Sequence, residues 1–154
     1  LGFGADAIVA SFAVGPEGQV TGIESQPLIE TVVGYGLAHF KAENWPIQEA
    51  MRGIRTVCAD AFDYLKEQPD DSVDVVYFDP MFRHPLLESR SLSPLRTVAN
   101  HEPVSEAMIE EACRVARRRV VFKENARSLE FERLGFTKIM GGRYSKVHYG
   151  VRIL

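Results

Sequence analysis

Val73-Asp74-Val75-Val76-Tyr77-Phe78-Asp79-Pro80 is the stretch on which the reading of this fold turns. Its first six residues are almost continuously apolar, which predicts a short strand covered on both faces, as in a parallel sheet. A polar turn, Pro69-Asp70-Asp71-Ser72, introduces it, and Asp79 lies where the strand ends. Open α/β sheets bind their ligands at the carboxyl ends of their strands.

Upstream, turn residues and apolar runs alternate. Ala5 to Ala13 reads as a short buried helix after a glycine turn, and Gln19 to Glu24 as a strand ending in an acid. Pro27 suits a first helical turn, followed by a helical pattern through Leu28, Val32, Leu37 and Phe40. Trp45 and Pro46 read as a helix terminus with a core anchor. Ile54 to Cys58 is β-branched and predicts a second strand, with an amphipathic helix through Phe62 and Leu65 behind it. Downstream, residues 81–103 form a long, proline-broken loop of the kind that usually serves function. Val104 to Val115 is helical by pattern, and Arg119 to Lys123 reads as a strand. Leu129 to Leu134 forms a short helix stopped by Gly135. Phe136 to Met140 and Lys146 to Leu154 make two last strands around Gly141-Gly142.

Strands separated by helices predict an α/β fold, a mostly parallel sheet with helices on both faces, closed by an antiparallel edge hairpin. A glycine loop such as residues 2–4 normally follows a buried strand. Only Leu1 precedes it here, so the first, central strand is expected to lie ahead of this chain. The 154 residues suit a single domain, 1–154. Hydrophobic residues at 45% and charged ones at 25% are globular values, far from those of a disordered chain. No apolar run reaches the ~18 to 20 residues of a membrane helix. Cys58 and Cys113 form no C-x-x-C pair, and His39, His84, His101 and His148 share no metal spacing, so no metal site is expected. With no signal peptide visible, a cytoplasmic location is the expectation.

Charge is unevenly spread. Residues 1–78 hold 12 Asp and Glu against 4 Lys and Arg, whereas residues 79–154 hold 9 against 14. Arg83, Arg90, Arg96, Arg114, Arg117 to Arg119, Lys123, Arg127 and Arg143 all fall in the basic half, which hints at an anionic partner. Arg117-Arg118-Arg119 is read most simply as a solvated helix end complementing the helix dipole.

Three groups carry chemistry. Gly2-Phe3-Gly4-Ala5-Asp6-Ala7 fits G-x-G-x-x-[G/A], and Glu24 stands 20 residues after Gly4. Such glycines let the backbone approach a ligand, and such an acid grips ribose hydroxyls. A dinucleotide site and an S-adenosylmethionine site fit almost equally. Asp6 favours the latter slightly, since an acid in the first turn suits a cationic ligand group and would repel a pyrophosphate. Cys58-Ala59-Asp60-Ala61 puts a second acid after the next strand, placed to accept from an adenine amine or to cap the following helix. Asp79-Pro80-Met81-Phe82 is the third group. The Asp79 carboxylate and Pro80 carbonyl would accept from an exocyclic amine, localising its lone pair, while Phe82 stacks on the ring. Neither a G-x-S-x-G elbow nor a G-x-x-x-x-G-K-[ST] loop is present.

Gly-x-Gly-x-Asp, Glu24, Asp60-Ala61 and Asp-Pro-Met-Phe in this order resemble a class I S-adenosylmethionine-dependent methyltransferase. Asp79-Pro80-Met81-Phe82 followed by His84 resembles, more narrowly, the bacterial family that methylates a guanine exocyclic amine in small-subunit ribosomal RNA. The likeness continues in Val120-Val121-Phe122-Lys123, in Gly142-Arg143-Tyr144 and in Tyr149. The family's D-x-T strand before the glycine loop is absent, and Arg83 stands where the family often has proline. The resemblance implies S-adenosylmethionine as cofactor over Gly2, Gly4, Asp6, Glu24, Asp60 and Ala61. It implies catalysis at Asp79, Pro80 and Phe82, with RNA as substrate. Arg83, Arg90 and Arg96 follow that turn on the proline-broken loop, a position suited to the phosphates flanking a flipped base. A small-molecule methyltransferase, a nicotinamide-dependent oxidoreductase and a non-catalytic RNA-binding module are the alternatives.

Overall fold

The structure, a computed structural model, describes residues 1–80 and 102–154. The described residues divide into two compact units, residues 1–61 and residues 62–80 with 102–154. Most of the stretch expected to be a long loop, residues 81–101 with Phe82, Arg83, His84, Arg90 and Arg96, lies outside the described residues.

The first unit comprises helix α1 (Ala5–Val14), strand β1 (Val20–Glu24), helices α2 (Pro27–His39) and α3 (Trp45–Arg52), and strand β2 (Ile54–Cys58). β1 and β2 pair in parallel, Val20 beside Ile54 and Glu24 beside Cys58. Pro27 opens α2 as expected, where its missing N–H costs nothing. The buried side of α2 differs from the sequence reading. Ile29 and Leu37 are buried, eight residues apart on one helical stripe, while Leu28, Val32 and Phe40 are exposed. α1 is apolar almost all round, and Ser11 is its buried residue rather than an aliphatic one. Trp45 does begin a helix, with Asn44 Oδ1 accepting from the Ile47 N–H at 3.3 Å. At that first position its ring turns outward, 66% exposed, so it anchors no core.

The second unit holds α4 (Ala61–Glu67) from its second residue on, β3 (Val73–Phe78), α5 (Glu106–Val115), β4 (Ala116–Asn125), α6 (Glu130–Arg133), β5 (Lys138–Met140) and β6 (Val147–Ile153). Its sheet runs β3-β4-β6-β5. β3 and β4 are parallel, and β6 pairs antiparallel with both β4 and β5, which is the expected edge hairpin. The core joins Leu65 and Phe78 to Ile109, Val115, Val120, Leu134 and three aromatic rings. Phe122 stacks on Phe136 at 5.6 Å and meets Phe131 edge-on at 5.8 Å.

Two expectations change here. β3 buries Phe78 but leaves Val73, Val75 and Tyr77 exposed, because it is an edge strand of this sheet and alternates sides. Arg117 to Arg119 lie on β4, since the helix ends at Val115 and pairing with β3 and β6 takes the chain from Ala116 onward. Arg117 and Arg118 reach Asp74 at 3.3 and 3.5 Å. Arg114 is likewise occupied within the unit. It donates to the Leu65 and Gln68 carbonyls behind α4 and pairs with Asp70 and Glu111, the two carboxylates that raise its pKa further. Part of the basic half therefore serves the fold.

Candidate active site

In the first unit the glycine loop and the strand-end acid form one device. Gly2 and Gly4 both have left-handed backbone, φ 53° and 80°, which an L side chain resists. The Gly4 N–H donates to the Leu1 carbonyl at 3.0 Å, and the Gly4 carbonyl receives the Ile8 N–H at 2.9 Å, starting α1. A Cβ on Gly4 would stand 3.3 Å from Val33 Cγ1, so α2 packs against bare backbone. Glu24 turns back onto this loop. Its Oε2 accepts the Gly2 N–H at 3.2 Å and its Oε1 accepts the Gln26 N–H at 3.0 Å. Two backbone donors thus hold a carboxylate that is only 10% exposed at its side chain.

The remaining candidates of this unit cluster at the same strand ends. The Ala59 N–H donates to the Glu24 carbonyl at 3.0 Å, carrying the β1–β2 pairing one step past the strand. Asp60 follows, exposed, and Ala61 is the first residue of α4. Asp6 lies in the first turn of α1, half-buried, two residues after Gly4. Spacing alone links the glycines and Glu24 in the sequence, and the hydrogen bond from Gly2 to Glu24 is what that spacing does not reveal. The residues fit a ligand with hydroxyls and an amine, offering close backbone approach and acceptors at successive strand ends.

In the second unit Asp79 directly follows β3, with Pro80 half-buried behind it. Lys123 Nζ lies 3.3 Å from Asp79 Oδ1, the lysine 18% and the aspartate 41% exposed at their side chains. β3 and β4 are in register at Phe78 and Phe122, which brings the next residue of each strand together. Lys123 was not among the expected site residues. Its signal was a cation closing the apolar run Val120-Val121-Phe122. Lys123 also stands opposite Tyr149 on β6, and directly opposed residues share a face of the sheet. Asp79, Lys123 and Tyr149 thus form a row on the face away from the Phe122 core. Phe82, expected beside them, lies outside the described residues. Among the described residues no cluster of three or more His, Cys, Asp or Glu could hold a metal ion, and no helix is long and apolar enough to cross a membrane.

The chain belongs to a class of proteins defined by its cofactor. Residues 1–138 match the family model described as "Putative SAM-dependent methyltransferase", and the chain belongs to that family. The cofactor of that family is S-adenosylmethionine rather than a nicotinamide dinucleotide. The chain is 45% identical to YpiP of Bacillus subtilis over 98% of its own length and 58% of that protein's. It is 30% identical to ribosomal RNA small subunit methyltransferase J of Thioalkalivibrio sulfidiphilus, over 82% of this chain and 50% of that one. Among solved structures, a SAM-dependent methyltransferase from Neisseria gonorrhoeae superposes with a TM-score of 0.64 at 17% identity. The match covers 99% of this chain and 58% of that one, and shows the shared fold. The chain spans about half the length of the curated relatives it matches.

Proposed function

We propose that this family member transfers a methyl group to an exocyclic amine of an RNA base, with guanine in small-subunit ribosomal RNA as the substrate. The observation that carries the reading is Asp79-Pro80 at the end of β3, with the Asp79 carboxylate held by Lys123 at 3.3 Å. Relatives named ribosomal RNA small subunit methyltransferase J support the substrate class.

S-adenosylmethionine, when bound, supplies an electrophilic methyl group. The chain's own residues do the rest. Glu24 accepts from the ribose hydroxyls, and its two backbone hydrogen bonds keep it aimed. Asp60 accepts from the adenine amine beside Ala61, and Asp6 faces the cationic amino-acid end. An exocyclic amine is a poor nucleophile because its lone pair is delocalised into the ring. Asp79 and the Pro80 carbonyl accept its two N–H groups, which localises that pair and orients it. Phe82 stacks on the base, and the proton leaves to water or to Asp79 after transfer. A target base must be unpaired or flipped to be reached.

Full-length protein incubated with small-subunit ribosomal RNA and methyl-tritiated S-adenosylmethionine tests this. The expected result is label on a guanine amine, lost in Asp79→Asn. Label on a small amine with none on RNA would overturn the substrate and keep the methyl transfer.

A further inference from the structure

From Gly135 to Leu154 the chain contains no Asp or Glu, against four cations, Lys138, Arg143, Lys146 and Arg152. Arg152 belongs to the fold. It donates to the Leu134 carbonyl at 2.9 Å and lies 5.6 Å over the Phe136 ring. Lys138, Arg143 and Lys146 are all exposed, on β5 and on the turn that joins it to β6. Between the last two stands Tyr144, 89% exposed, with the Arg143 guanidinium 5.6 Å from its ring centre.

The turn that presents this pair has internal structure. The Ser145 N–H donates to the Gly142 carbonyl at 2.9 Å, and Ser145 Oγ donates to the Val147 carbonyl at 2.7 Å. The His148 ring fills the space a Cβ on Gly141 would need. A ring this exposed adds nothing to a core, and a simple solvated turn gains nothing from it. On the same strand, Tyr149 is 38% exposed opposite Lys123, in the row that ends at Asp79.

We propose that the β5–β6 hairpin is a docking arm for single-stranded RNA. Tyr144 stacks on an unpaired base, Arg143 and Lys146 hold the flanking phosphates, and β6 leads the strand toward Tyr149 beside Lys123 and Asp79. This rests on the reading that the acceptor is RNA. Charge complementarity selects a polyanion, and the exposed ring with its guanidinium selects one with flat bases, because base stacking on an aromatic platform is the sequence-tolerant mode of single-strand binding. A purely acidic partner would be matched by the cations alone.

The test is the affinity of full-length protein for a fluorescein-labelled, mixed-sequence single-stranded RNA 12-mer across a salt series. Tyr144→Ala is expected to weaken binding by roughly 5- to 100-fold with the salt slope unchanged, and Tyr144→Phe to restore it. Arg143→Ala with Lys146→Ala is expected to flatten the slope by about 1.4 log units per log unit of salt, at about 0.7 per phosphate. S-adenosylmethionine affinity should stay at its original value in every variant. Salt-sensitive RNA binding that both sets of variants retain in full would overturn the arm while leaving the RNA reading intact. Competition by polyglutamate as effective as by unlabelled RNA would overturn it too. Absence of RNA binding by the unaltered protein would remove the substrate reading and the arm with it.

Discussion

The two units of this chain are built in opposite ways. Residues 62–80 and 102–154 close an aromatic core, in which Phe122, Phe131 and Phe136 are each at most 3% exposed. Residues 1–61 leave Val9, Phe12, Leu28, Val32, Tyr35 and Trp45 at least 60% exposed, and bury Ile29, Leu37, Ala50 and Met51. The order of the first unit at its candidate site comes from backbone instead: left-handed glycines, and a carboxylate tied to two peptide N–H groups. The contrast teaches that the residues proposed to hold the cofactor are aimed by loop geometry, whereas Asp79 is aimed by a packed sheet and a cation on the neighbouring strand.

The sharpest way to test that contrast is in the core of the second unit. Phe122→Ala removes a ring 1% exposed from between two others, and unfolding should show a loss of ~3 to 5 kcal/mol. Next comes Asp79→Ala, which should lower methyl transfer by about 100-fold or more, the scale of a lost alignment, with cofactor affinity within a few-fold. Loss of cofactor binding in a folded Asp79 variant would move Asp79 to the cofactor side and blur the division. Glu24→Ala should weaken S-adenosylmethionine binding by ~1.5 to 3 kcal/mol, as for a hydrogen bond to a charged group. Titration calorimetry reads this directly, and unchanged affinity would take Glu24 out of the site.

Smaller effects mark the backbone-built side. Gly4→Ala forces a side chain into φ 80° and toward Val33, at a cost of about 1 to 2 kcal/mol in thermal unfolding. Trp45→Ala, by contrast, should change stability by less than about 0.5 kcal/mol, because the ring is exposed. A large loss there would mean that Trp45 is covered in the working protein.

Much of this was legible in the residues themselves. The spans of β1, β2 and β3 follow from β-branched runs between turn signals, and Pro27 and Gly135 punctuate helices where expected. The edge hairpin was readable from Gly141-Gly142 between two apolar runs. What failed was sidedness. Leu28 and Ile29 are equally apolar, and only packing against β1 and β2 decides which turns inward. Arg117 to Arg119 look like a helix end until β3 and β6 claim the backbone beside them. The site was legible as residue types, and its couplings were not: Gly2 to Glu24 spans 22 residues and Asp79 to Lys123 spans 44, contacts that only the folded register creates.

The central claim is that the glycine loop and Glu24 form the S-adenosylmethionine site of a methyltransferase. Titration calorimetry of the full-length protein with S-adenosylmethionine and, separately, with NAD tests it most directly. Saturable binding of S-adenosylmethionine, weakened in Glu24→Ala and absent for NAD, is the expected result. Binding of NAD with none of S-adenosylmethionine would contradict it.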